Sequence, residues 1–142
     1  MARRSRAREV VLQILYQEDL NPDADPRLAD EFLRGRLKQD EQLIEFGRYL
    51  LVGTREHRKK IDMQLERFAD NWSLKRMAAT DRNLLRLGAF EILYSNTPGR
   101  VAINEAVELA KRFGGKHSPQ FVNGLLDRVL KSRPADDQPP SS

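Results

Sequence analysis

The 142-residue sequence predicts an all-α bundle of six or seven helices. Three observations carry that expectation. Apolar residues recur three and four positions apart along nearly every long segment, the spacing of one helix face. Helix start and stop signals built on proline, glycine, Asp and Ser fall between those segments. No run reads convincingly as a strand.

Residues 5–20 carry Ala7, Val11, Ile14 and Leu15 at helical spacing. Asn21-Pro22 ends that segment, because proline brings a bulky ring and no N–H. Asp25-Pro26 offers a cap acceptor and a residue suited to a first turn, opening a short helix with Leu28, Phe32 and Leu33 facing inward. From Asp40 one stripe runs through Leu43, Phe46, Leu50, His57, Ile61, Leu65 and Phe68. It is long for a single globular helix, so a break is expected between residues 55 and 60. His57 reads as a satisfied core or boundary histidine, and Arg58-Lys59-Lys60 as a solvated face. Asn71-Trp72-Ser73 reads as a turn with Trp72 anchored beneath it.

Residues 78–95 place Leu84, Leu85, Leu87, Phe90, Ile92, Leu93 and Tyr94 around nearly the whole circumference, the mark of a helix buried on most sides. Thr97-Pro98-Gly99 is a turn. The next helix holds Ala106, Val107, Leu109, Ala110 and Phe113 and ends at Gly114-Gly115. Ser118-Pro119 caps a last helix with the stripe Val122, Leu125, Leu126 and Val129. Pro134 closes it, and residues 134–142 read as a disordered tail. The expected organisation is a basic arm over 1–8, one helical domain over 9–133, and that tail.

Composition narrows the chemistry. With no cysteine and two histidines, there is no disulfide framework and no thiolate or histidine-rich metal site to defend. No apolar run has the length of a membrane span, and the basic N-terminus lacks a signal-peptide core, so a cytoplasmic protein is expected. The formal charge is +4, and it has an address: Arg3, Arg4, Arg6 and Arg8 fall within the first eight residues with no acid among them. Arginine forks bind phosphate in a bidentate manner, so such an arm suits nucleic acid, and on charge alone a solvated, frayed terminus stands equally beside that reading.

Two features exceed a single core. Leu12 and Tyr16 lie one turn apart, roughly 120° from the stripe of the first helix, and suggest a second packing surface, inside the fold or for a partner. Phe121 lies about 90° from the centre of the last helix's stripe, just after Gly114-Gly115-Lys116-His117. A glycine turn entering a helix presents free N–H groups to phosphate, Lys116 adds charge, and Phe121 is placed either to stack on a base or to join the core. Gly115-Lys116 lacks the upstream glycine and strand of a nucleotide-binding loop. Glu91, on the buried helix, reads as a carboxylate paired with an arginine or capping a neighbour, not as a catalytic acid. No catalytic constellation and no cofactor site emerge.

Several blocks, in order and over nearly the full length, resemble the NusB family of bacterial transcription antitermination factors. They are Ala7-Arg8-Glu9, Gln13 and Leu15-Tyr16; Asp81-Arg82, Leu85-Arg86 and Glu91; the run over residues 101–111 that opens Val101-Ala102-Ile103-Asn104-Glu105; Phe113-Gly114; and Phe121-Val122-Asn123-Gly124 with Leu125-Leu126-Asp127. The resemblance implies two small helical bundles packed together. It implies binding of single-stranded boxA RNA from ribosomal RNA leaders, together with the ribosomal protein NusE, within an RNA polymerase complex containing other Nus factors.

By the same resemblance Arg4, Arg6 and Arg8 form an arginine-rich RNA motif, with Ser5 where the family often has another arginine and Arg3 alongside to compensate. Lys116, His117, Gln120 and Phe121 match a second RNA-contacting region, and Tyr16 and Asp81 match the NusE-facing surface, giving the Leu12/Tyr16 face a partner. Some relatives self-associate, so a homodimer stays open. Two other readings remain: the RNA-binding module of ribosomal RNA cytosine methyltransferases, without the catalytic domain, and a helical DNA-binding regulator using the arm as a minor-groove hook.

Overall fold

The computed structural model describes residues 3–70 and 73–133. Trp72 and the residues from Pro134 onward, on which two expectations rested, lie outside that range. Seven α-helices and one short 3-10 turn, Leu74–Arg76, make up the regular structure of the described residues: α1 Arg3–Leu20, α2 Pro26–Arg36, α3 Glu41–Glu56, α4 Arg58–Phe68, α5 Ala79–Tyr94, α6 Gly99–Phe113 and α7 Ser118–Lys131. Helices α1, α2 and α3 pack on one another, and α4, α6 and α7 gather around α5. Helix α5 also touches α1 and α3, so it is the shared wall of two small bundles.

The physics of that wall is plain in its residues. Ten consecutive-turn positions of α5, from Asn83 to Ile92, are buried, including Leu84, Leu85, Phe90 and Ile92. A helix apolar on all sides is stable only when other helices cover it. At Gly53 of α3, a Cβ would fall 2.2 Å from the Phe90 ring, so only glycine lets α3 approach α5 this closely.

The expected break comes at His57, which ends α3 and opens α4. Its Nδ1 sits 2.9 Å from the Gly53 carbonyl, and its ring stacks on Tyr94 at 4.0 Å between centroids. His57 is therefore a satisfied boundary residue. Asp25 and Asp40 cap α2 and α3 by accepting the backbone N–H of Arg27 and Leu43. Such caps stabilise a helix end by about 1 kcal/mol.

Three sequence expectations are corrected. Leu28 and Phe32 do not face inward: they are 58% and 37% exposed, because α2 rides over the bundle on the Ala29/Leu33 side alone. Phe113, expected inside, is 39% exposed at the very end of α6, where the chain is already turning away. Ser118 is the first residue of α7 and not its cap. Its hydroxyl accepts the Gly115 N–H at 2.9 Å and so closes the glycine turn instead.

Candidate nucleic-acid interface

The basic residues of the expected N-terminal arm belong to a helix from Arg3 onward. Helix α1 begins at Arg3, so the boundary expected after residue 8 falls inside continuous helix. Its first turn carries no acid. Cations at a helix N-terminus oppose the helix dipole at roughly 0.3–1 kcal/mol each, so neighbours must hold them there. Arg3 pairs with Asp40, and Arg4 lies 4.3 Å over the Phe46 ring. Ser5 donates to both carboxylate oxygens of Glu105 at 2.7 and 2.8 Å.

Arg8 overturns an expectation. It was placed among the phosphate contacts, but it points into the protein and is 4% exposed. Its Nε and Nη2 donate to the two oxygens of Glu91 at 2.7 and 2.8 Å, and its Nη1 donates to Glu105 at 3.2 Å. Glu91 also accepts from the Thr97 hydroxyl at 2.8 Å, as suits a structural carboxylate. Burial works against the Arg8 charge, but the hydrogen bonds and charge of Glu91, with Glu105 behind, outweigh it and raise the guanidinium above its ordinary value. The fork is occupied, and no phosphate can reach it. Arg8 fastens α1 to α5 and α6.

Arg6 does the opposite. Its side chain is half-exposed and donates through Nη1 to Glu9 at 2.5 Å. The other oxygen of Glu9 accepts from Arg112 Nη1, also at 2.5 Å. One nearly buried carboxylate thus holds two guanidiniums, one on α1 and one on the last turn of α6, and both keep donors toward solvent. Arg112 was missed from sequence. The available signal was a cation in the turn just before Gly114-Gly115, hidden by an acid and base count that balanced over the rest of the chain.

Two residues after Arg112, past Phe113, comes the glycine turn. A Cβ on Gly114 would fall 2.6 Å from the Ser118 Cβ and 2.8 Å from the Ala110 carbonyl, so the turn closes only with glycine here. Lys116, His117 and Gln120 are exposed on it and on the first turn of α7. Phe121 is half-buried and packs against the core with part of its surface. Glu9 therefore joins the start of α1 to the last turn of α6, and α7 begins five residues beyond that turn.

The expected partner surface takes a different shape. Leu12 is buried, not displayed, and together with half-buried Tyr16 it lines a groove of about 720 Å³ between α1, α2 and the ends of α5 and α6. The misplaced apolar residues Leu28, Phe32 and Phe113 stand along the same groove. Thr80 lines it, one residue before Asp81. Gln13 Oε1 in the wall and Asp81 Oδ1 at the start of α5 are buried without a hydrogen-bond partner among the described residues. Unpaired buried acceptors are costly, about 1–3 kcal/mol each. Among the described residues no three His, Cys, Asp or Glu side chains gather as a metal site, and no helix is long and apolar enough to cross a membrane.

Comparison with known proteins bears on these surfaces. The NusB family model matches residues 5–131. A transcription antitermination protein NusB of Desulfitobacterium hafniense is 44% identical over 136 residues, covering 91% of this chain and 88% of its own length. One from Anaeromyxobacter dehalogenans is 40% identical over 94% of both chains. Among solved structures, T. maritima NusB superposes with a TM-score of 0.84 at 36% identity, covering 96% of each chain. A crystal structure of the antitermination factors NusB and NusE in complex with dsRNA gives 0.82 at 28% identity, over 94% of this chain and 99% of the other.

Proposed function

The chain belongs to the NusB family of transcription antitermination proteins, and from that premise we propose that it binds RNA across the α1/α6/α7 junction and a NusE-type ribosomal protein along the adjoining groove. The observation that carries the reading is the shared Glu9 clamp. It brings Arg6 beside Arg112 and so joins the basic start of α1 to the glycine turn with Lys116 and His117. Arg3, Arg4, Arg6, Arg112 and Lys116 supply phosphate contacts, which set affinity and salt dependence but choose little sequence. Gln120 and Phe121 reach unstacked bases, the usual route to RNA sequence choice. The groove with Leu12, Tyr16, Phe32 and Phe113, with Asp81 one residue beyond its lining, takes the protein partner. No step requires chemistry on the RNA. The protein acts as a scaffold in the cytoplasm, presenting single-stranded boxA RNA of ribosomal leaders to a polymerase complex.

Fluorescence anisotropy tests this with a boxA-type single-stranded RNA, a scrambled RNA and a duplex RNA, each with and without NusE. The duplex arm is included because a solved relative holds dsRNA. Preferential boxA binding that tightens with NusE is the expected result. Equal binding to all three RNAs, falling together with salt, contradicts it.

A further inference from the structure

The connection between α2 and α3 brings two more cations to the start of α1. Arg36 ends α2, and Lys38 and Gln39 follow with φ of 53° and 62°. Two consecutive non-glycine residues in the left-handed region are uncommon, and this one turn swings Lys38 back toward α1. Arg3, Arg6, Arg36 and Lys38 then surround a recess of about 470 Å³. Its one carboxylate among the described lining residues, Asp40, is already engaged: it accepts from Arg3 and from the Leu43 N–H that it caps, and these bonds hold it below the usual carboxylate range. Arg36 is steadied over the Phe32 ring at 5.1 Å, and neither it nor Lys38 forms an ion pair among the described residues.

We propose that this recess is a second phosphate-binding station, in which Arg36 and Lys38 take the backbone of RNA running beyond the glycine turn. The inference rests on the RNA-binding reading above and extends its track. Arg6 belongs to both stations, since it shares Glu9 with Arg112 and also lines the recess, so the two stations adjoin at Arg6. A concave group of four cations with one spent carboxylate suits a polyanion, and the arginine forks suit phosphate in particular.

The test compares the full chain with the Arg36→Gln/Lys38→Gln variant, using boxA-type single-stranded RNA and the same RNA lengthened at both ends with uridines. Both side chains are exposed, so the urea midpoint should not move. On the long RNA the double variant should lower the slope of log K against log salt by about 1.4, at about 0.7 per lost contact. On the short RNA it should change little, and Arg36→Lys with Lys38 intact should keep the full slope. Arg6→Gln, which weakens both RNAs, is the reference.

An unchanged slope for the double variant on long RNA, with Arg6→Gln still weakened, overturns the recess alone and leaves it to an acidic protein surface. Failure of the unaltered protein to bind either RNA overturns the RNA-binding reading and the recess with it. Inorganic phosphate at matched ionic strength should displace the long RNA no better than chloride. Stronger displacement would make the recess a free-phosphate site and overturn the strand assignment.

Discussion

Arg6 and Arg8 stand two residues apart on one helix and have opposite fates. Two residues turn an α-helix by about 200°, so one side chain leaves the protein where the other enters it. Arg6 shares Glu9 with Arg112 and keeps donors in solvent, whereas Arg8 spends its fork on Glu91 and Glu105. Identical chemistry therefore serves two purposes, and burial decides which. An arginine-rich segment is not uniformly an RNA-binding segment. Part of it is the fastening that lets the rest be presented on a rigid element, where its positions are fixed before RNA arrives.

The sharpest break in this contrast is Arg8→Ala. Removing one partner of a buried ion pair leaves Glu91 charged and uncompensated, which costs about 3–5 kcal/mol of folding stability, measured by urea unfolding. Arg6→Ala at the same end of the helix should cost less than about 0.5 kcal/mol in that assay.

The far end of α1 has its own fastening. Asp19 accepts from Arg82 at 2.7 Å and from Asn83 at 2.9 Å. Burial would raise the Asp19 carboxyl, but the hydrogen bonds from Arg82 and Asn83 and the charges of Arg82 and Arg86 hold it below its ordinary value of 3.8. A depressed carboxyl adds stability above the unfolded value and loses it as the pH falls through the folded one. Asp19→Asn should therefore cost about 2 kcal/mol at neutral pH, and the gap between variant and parent should close as the pH drops below that ordinary value. A gap that stays constant with pH would detach the aspartate from this role.

On the exposed side, Phe121→Ala should weaken boxA-type RNA by about 1–3 kcal/mol if the ring stacks on a base. Phe121→Leu, which keeps more of the packing, separates that loss from damage to the core. Smallest in energy is Arg112→Gln, which should leave unfolding unchanged and lower the RNA salt slope by about 0.7.

The sequence patterns and the structure agree where a signal is periodic and long. The stripe from Leu43 to Phe68 implied a break, and His57 supplies it; the all-round apolar helix became α5; Glu91 found its arginine. Disagreement came at short or terminal elements. Leu28 and Phe32 lie on one face of α2 and Ala29 and Leu33 on the adjoining one, about 100° round, and three turns are too few to tell a core stripe from a groove wall. Arg8 could have been read correctly, since Val11, Leu12 and Leu15 follow it three, four and seven residues later on one helix face. A count of charge along the chain hides this, and the arrangement around the helix shows it. The Arg6–Glu9–Arg112 clamp was not legible at all, because it joins residues far apart in sequence and Glu9 cancels their charge in any linear count.

The most direct measurement is the salt dependence of boxA-type RNA binding by Arg6→Gln beside Arg8→Met/Glu91→Leu. The double variant replaces the Arg8–Glu91 pair with apolar residues of similar size, an exchange that often preserves folding. The expected result is a slope reduced by about 0.7 for Arg6→Gln and unchanged for the double variant. A reduced slope for the double variant with an unchanged one for Arg6→Gln would mean that the inner arginine meets the RNA, and would contradict the division of labour drawn here.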